Sequence, residues 1–151
     1  MLPKREDSWM FLYPNIHMTD VVAEATCIPL IKAETSGVKE VELEDLKRLL
    51  AKLNIEGVVS GGISSRYQKE RIDKVCRELG LTHIAPLWGE DLLKLLNEII
   101  LLRIEAIIVG VYAHGFDETW LGRRLNKNAV KDLEQLNRKF KVSLVGEGGE
   151  Y

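Results

Sequence analysis

Apolar positions recur along this chain with two periods, and the two alternate. Leu43, Leu46, Leu49, Leu50 and Leu53 fall on one helix face. So do Ile72, Val75, Cys76 and Leu79, and later Ala129, Val130, Leu133, Leu136 and Phe140. Between these stretches lie short apolar runs closed by turn residues: 30–33 after Pro29, 55–59 before Gly61-Gly62, 81–85 before Pro86, 106–111, and 142–145 before a Gly-rich stretch. Thr19-Asp20 predicts a helix start, Gly80 a helix end, and Glu90-Asp91 an acidic first turn. The run 106–111 is apolar on both faces, which predicts a central strand of a parallel sheet.

Helix and strand thus alternate throughout, with short connections. That order predicts an α/β fold over residues 1–151: a single domain in three layers, a mostly parallel sheet with helices on both faces. The helix expected from Asp91 to Arg103 carries more apolar residues than one stripe needs. It is packed on two sides or forms a subunit contact, so a homo-oligomer is expected.

Ligands of parallel sheets bind at the C-terminal ends of the strands. The rule picks out loops 60–65, 86–91, 112–124 and 146–151, which should face one crevice. In the first, Ser60-Gly61-Gly62 leaves a strand and Ser64-Ser65 enter a helix. The N–H groups of a helix start suit phosphate or carboxylate, and glycines allow close approach. In the second, Trp88 stacks on a flat ligand or belongs to the core. In the third, Asp117 and Trp120 read as a capped turn over the core, or, with Arg123 and Arg124, as a pocket wall that pairs with an anion. In the fourth, Gly146, Gly148 and Gly149 surround Glu147 and Glu150, which read as a disordered tail end or as a site where either glutamate binds a cation or ammonium or acts as a base.

Composition narrows the partners. The 21 basic and 23 acidic residues leave a net charge of −2, without the basic field that nucleic acid requires. The basic positions Arg66, Lys69, Arg71, Lys74 and Arg77 interleave with Glu70, Asp73 and Glu78, as on a solvated helix face. The greasiest window, 92–111, holds Lys94, Glu98, Arg103 and Glu105, which argues against a membrane span. Cys27 and Cys76 are far apart and read as buried thiols of a reducing compartment, here the cytoplasm. Neither they nor His17, His83 and His114 have metal spacing, so no metal site is expected within the chain.

Five runs follow the order of one family: 11–17 (Phe-Leu-Tyr-Pro-Asn-Ile-His), Ser60-Gly61-Gly62-Ile63 with Tyr67-Gln68 and Arg71, Pro86-Leu87-Trp88-Gly89, Trp120-Leu121-Gly122-Arg123, and Glu147-Gly148-Gly149-Glu150-Tyr151. The chain resembles the diphthine–ammonia ligases, which are N-type ATP pyrophosphatases of adenine nucleotide alpha hydrolase-like fold. The resemblance implies ATP, with Mg2+, as the activating reagent. It implies that diphthine on elongation factor 2 is adenylylated and that ammonium supplies the nitrogen of diphthamide. By resemblance Ser60, Gly61, Gly62 and Ser64 lie against the nucleotide. Glu147 and Glu150 are then catalytic, and Trp88, Trp120, Arg123, Gly148 and Gly149 line the substrate side. The departure is at the front: the family's Ser-Gly-Gly-Lys-Asp-Ser loop does not occur, since Ile63 follows Gly62. The chain is therefore expected to be truncated at the front and weak or inactive alone. A non-catalytic nucleotide-binding or oligomeric module of the same fold is the alternative.

Overall fold

Each helix in the computed structural model, which describes residues 1–151, sits where the apolar spacing puts it, but the strands pair more locally than the alternation suggests. Two units result: residues 1–60 with 66–84, and residues 61–65 with 85–151.

In the first unit β1 (Leu2–Pro3) pairs in parallel with β2 (Glu34–Thr35), and β3 (Gly57–Val59) with β4 (Thr82–Ile84). Three helices accompany them: α1 (Thr19–Thr26), α2 (Val41–Leu50) and α3 (Arg66–Leu79). Leu43 and Leu50 of α2 and Val75 of α3 bury together with Met10, and Leu46, Ile72 and Leu79 pack against them. Gly57 is required by the β3–β4 approach, since a Cβ there would stand 2.6 Å from the Thr82 carbonyl oxygen. Gly80 ends α3 at φ 69°.

The second unit holds α4 (Leu92–Leu101) and α5 (Lys127–Phe140). Asp91 caps α4 through the Lys94 N–H, and Asn126 caps α5 through the N–H groups of Asn128 and Ala129. Leu96, Ile108, Trp120, Val130 and Leu133 form its core.

An α/β fold with short parallel sheets is thus present, and three expected strands are corrected. The pairing near Pro29 falls at 34–35 rather than 30–33. Residues 106–111 form no ladder. Their hydrogen bonds go to the adjacent loop, Ile108 N–H to Arg123 O, Gly122 N–H to Ile108 O and Leu125 N–H to Ala106 O, leaving one antiparallel bridge between Ile107 and Arg124. Ile107 and Val109 stay more than half exposed, so the run lacks the flanking strands its composition suits. Residues 142–145 likewise pair with no strand. Of the two thiols only Cys76 is buried. Cys27 is exposed, in a left-handed conformation (φ 55°) just past α1. No helix is long and apolar enough to cross a membrane.

Candidate functional site

The four loops singled out above meet within the second unit through hydrogen bonds between their backbones and carboxylates. The Glu147 carboxylate accepts from three successive backbone N–H groups: Ile63 at 2.7 Å, Ser64 at 2.7 Å and Ser65 at 3.0 Å. The Ser64 hydroxyl adds a fourth bond at 2.7 Å. Successive N–H groups aimed at one point form an anion-binding concavity. The loop before α3, expected to receive an anion, in this structure receives the chain's own Glu147 carboxylate. The Gly89 N–H donates to Ile63 O at 2.9 Å, which ties loop 86–91 to the same place. The N–H groups of Tyr112 and Ala113 donate to Glu150 O at 2.9 and 3.2 Å, which brings in the third loop.

Burial alone would raise the Glu147 carboxyl, but the donors from Ile63, Ser64 and Ser65 outweigh it and hold the group below the ordinary carboxylate range. Glu150 is bound differently. Its carboxylate accepts from the Ser143 N–H at 3.0 Å and the Gly148 N–H at 2.9 Å, so it braces the turn it belongs to. Gly146 and Gly149 have φ of 65° and 81°, and Gly149 N–H closes the turn on Gly146 O at 3.0 Å. Gly61 precedes Ile63 in one loop and Gly149 follows Glu147 in the other, and a Cβ on either would meet nothing within 4 Å.

Trp120 is buried, edge-on to Phe116 at 5.1 Å, under a short turn that Asp117 caps through the Thr119 N–H. Arg123 stacks over the Trp120 ring at 4.3 Å and pairs with Asp132 of α5. Arg124 pairs with Glu105 at the surface. The capped turn over the core is what the loop shows, and its two arginines pair with the chain's own carboxylates. Trp88 is half-buried, and its N–H donates to Ala85 O in the turn after β4.

Ser60 lies in the first unit and faces other partners. Its N–H extends the β3–β4 pairing to Ile84 O, and its hydroxyl lies 2.8 Å from His83 Nε2. His83 Nδ1 is 2.5 Å from Asp73 Oδ1, and Lys69 Nζ is 2.7 Å from Asp73 Oδ2. The sequence reading passed over His83 and Asp73. The available signal was strand alternation, which turns His83 inward between the exposed Thr82 and Ile84. On the basic face of α3, expected to be solvated, Lys69 pairs with Asp73 and Lys74 with Glu78, while Arg71 pairs with Glu40 and lies over the Tyr67 ring at 3.5 Å.

Comparison with known proteins matches residues 1–83 to the family described as diphthamide synthase N-terminal domain, and residues 91–151 to diphthamide synthase C-terminal domain. Among individual relatives, the diphthine–ammonia ligase of Rattus norvegicus is 38% identical over 161 residues, covering 96% of this chain and 60% of the relative. That of Homo sapiens is 36% identical with the same coverage. That of Schizosaccharomyces pombe is 34% identical over 96% of this chain and 26% of the longer relative.

Proposed function

The chain belongs to the diphthamide synthase family, and from that membership we propose that it takes part in the ATP-dependent amidation of diphthine on elongation factor 2. The reaction joins diphthine, ammonia and ATP to give diphthamide, AMP and pyrophosphate. A carboxylate oxygen leaves poorly, so transfer of AMP onto the diphthine carboxylate makes the carbonyl open to ammonia, which then displaces AMP. Mg2+ is taken to arrive on the ATP phosphates. The reading takes the protein to be cytoplasmic.

The observation that carries this reading is the N–H cradle of Ile63, Ser64 and Ser65 around an anion. It fits a phosphate as it fits a carboxylate, and free space beside Gly61 leaves room for a nucleotide to approach. Gly61, Gly62 and Ser64 are the proposed nucleotide contacts, with Ser60 at the end of β3. Glu147 would leave the cradle as phosphate enters and become free to hold ammonium or take its proton. Glu150, Gly148 and Gly149 shape that side, and Trp88, Trp120 and Arg123 bound it toward the acyl substrate.

The chain spans 60% of the rat relative's length and contains no Ser-Gly-Gly-Lys-Asp-Ser run. The test incubates it with diphthine-bearing elongation factor 2, ATP and ammonium, follows AMP and the acid-to-amide mass change, and measures AMP binding by calorimetry. Saturable AMP binding with slow amide formation is expected. Folded protein that neither binds AMP nor forms amide overturns the proposal. Binding without turnover favours the second reading, a non-catalytic module that self-associates. The exposure of Leu101 (76%), Leu102 (71%) and Tyr112 (71%) supports that reading, and sedimentation of a monomer would exclude its oligomeric part.

A further inference from the structure

Ser60, His83 and Asp73 form a continuous hydrogen-bonded chain in the first unit, of which the ligation reading uses only Ser60, and that as a nucleotide contact. The Ser60 hydroxyl is 2.8 Å from His83 Nε2, and His83 Nδ1 is 2.5 Å from Asp73 Oδ1. The proton positions follow from the partners. Lys69 and then His83 hold Asp73 below the usual carboxylate range, against burial that works the other way. An ionised carboxylate only accepts, so His83 Nδ1 carries the hydrogen. In the neutral ring Nε2 then keeps its lone pair, and the Ser60 hydroxyl donates to it. This is the nucleophile, base and orienting carboxylate of an activated serine.

Three further features fit. The three groups come from separate elements: Ser60 directly after β3, His83 on β4, Asp73 on α3. The His83 side chain is 5% exposed and Asp73 29%, so the base is sheltered while Ser60 is half-buried and open to a small reagent. The charged groups facing the imidazole are Asp73 itself and, behind it, Lys69. Ser64 offers an internal contrast. Its hydroxyl donates to Glu147, with no imidazole beside it.

We propose that Ser60 is an activated nucleophile that takes an acyl group from an activated ester or acid anhydride. Ser60 Oγ bonds to the acyl carbon, the bond from that carbon to the leaving oxygen breaks, and the hydroxyl proton passes to His83 Nε2. The imidazolium is balanced by Asp73. Return of the proton to solvent restores the neutral ring, which can then draw a proton from water to hydrolyse the acyl-serine. The inference stands apart from the ligase reading, because it needs no nucleotide.

The experiment treats the 151-residue chain with p-nitrophenyl acetate and locates acetyl groups by peptide mass spectrometry over time. Acetylation of Ser60 is expected to outpace that of Ser64 and Ser65 by at least ~10-fold. His83→Gln should slow it about 100-fold, the scale of a general base, and Asp73→Asn should slow it by at least ~10-fold. Ser60→Ala should remove that adduct alone. A purely structural hydrogen-bond chain would lower the melting temperature of these variants without making Ser60 faster than the other serines. That equal rate in the unaltered protein overturns the proposal even if the variants fold poorly, and so does a folded His83→Gln that acetylates at the original rate.

Discussion

Glu147 and Ser64 are joined twice at one oxygen: Oε2 accepts from the Ser64 backbone N–H at 2.7 Å and from its hydroxyl at 2.7 Å, across 83 positions of sequence. With Ile63 and Ser65 this makes a charge-assisted clamp between two loops. Because these donors depress the folded carboxyl below its unfolded value, its stabilisation is present above the ordinary carboxylate pKa of about 4.3. It is lost as pH falls through the lower folded value.

Glu147→Gln replaces one accepting oxygen with a donor that faces N–H groups. The expected loss is about 1–3 kcal/mol near neutrality, toward the low end because solvent reaches the carboxylate. The acid limb of stability against pH should also flatten below about pH 4. Urea unfolding at neutral and acid pH measures both. If the AMP site shares this cradle, AMP should bind the glutamine variant more tightly than the unaltered protein.

Arg123 is held from two sides, by the Trp120 ring and by Asp132. Asp132 is nearly half exposed, so the ion pair itself should contribute little, about 0.2–1 kcal/mol. Loss of the guanidinium also uncovers the indole. Arg123→Ala is therefore expected to destabilise more than Asp132→Ala. The coupling energy from the double-mutant cycle should fall within that same range. A coupling of zero would assign the arginine's role to the indole alone.

Helices α2, α3 and α5 were legible because each is an amphipathic segment whose apolar spacing fixes its own face, whereas α1 buries no residue and was legible only by its start signal. Leu43 and Leu50, Val75, and Val130 with Leu133 all went to the core they implied. Strands were less legible, since an apolar run such as 106–111 states only that it could pair, and pairing depends on which segments lie beside it. Turn chemistry carried well: Asp117 and Gly80 cap or end what they were expected to, and Asp91, expected in a first turn, caps α4 instead. The loops at 60–65 and 146–151 were recognisable by their glycines and serines, but not that one would supply the other's anion. The Ser60–His83–Asp73 chain was hidden because its members lie on three elements, and nothing in the spacing of a single histidine announces a partner.

Glu42 is fully buried on α2, accepts one hydrogen bond from the Ser8 hydroxyl at 2.6 Å, and leaves Oε1 without a partner. The Ser8 oxygen also accepts from the Phe11 N–H at 3.1 Å. Ser8→Ala therefore removes the partner of the buried Glu42 carboxyl and of the part-buried Phe11 N–H, and should cost about 1–3 kcal/mol. Glu42→Gln keeps the shape and the acceptor for Ser8 while removing the need to bury a carboxylate. It should cost less than Ser8→Ala, and thermal melts of the two variants decide the order.

Tyr151 returns over its own turn. Its hydroxyl donates to Leu144 O, its ring lies 5.5 Å from Phe116, and burial followed by the nearby Glu150 carboxylate pushes its phenol up to about 12. A raised folded pKa stabilises fully below the unfolded value of about 10 and is lost as pH rises toward 12. Burial raises the Tyr67 phenol as well, so two of the four tyrosines should titrate late in an ultraviolet absorbance titration, and Tyr151→Phe should remove the step near 12. The same variant leaves the Leu144 carbonyl without its donor and should cost about 0.5–1.5 kcal/mol. Gly146→Ala strikes the other side of this turn. Its Cβ would stand 2.6 Å from the Tyr151 carbonyl oxygen at φ 65°, so it should cost at least the ~1–2 kcal/mol of a left-handed residue. Because the ring can then no longer seat, Gly146→Ala must also bring the Tyr151 titration back toward about pH 10.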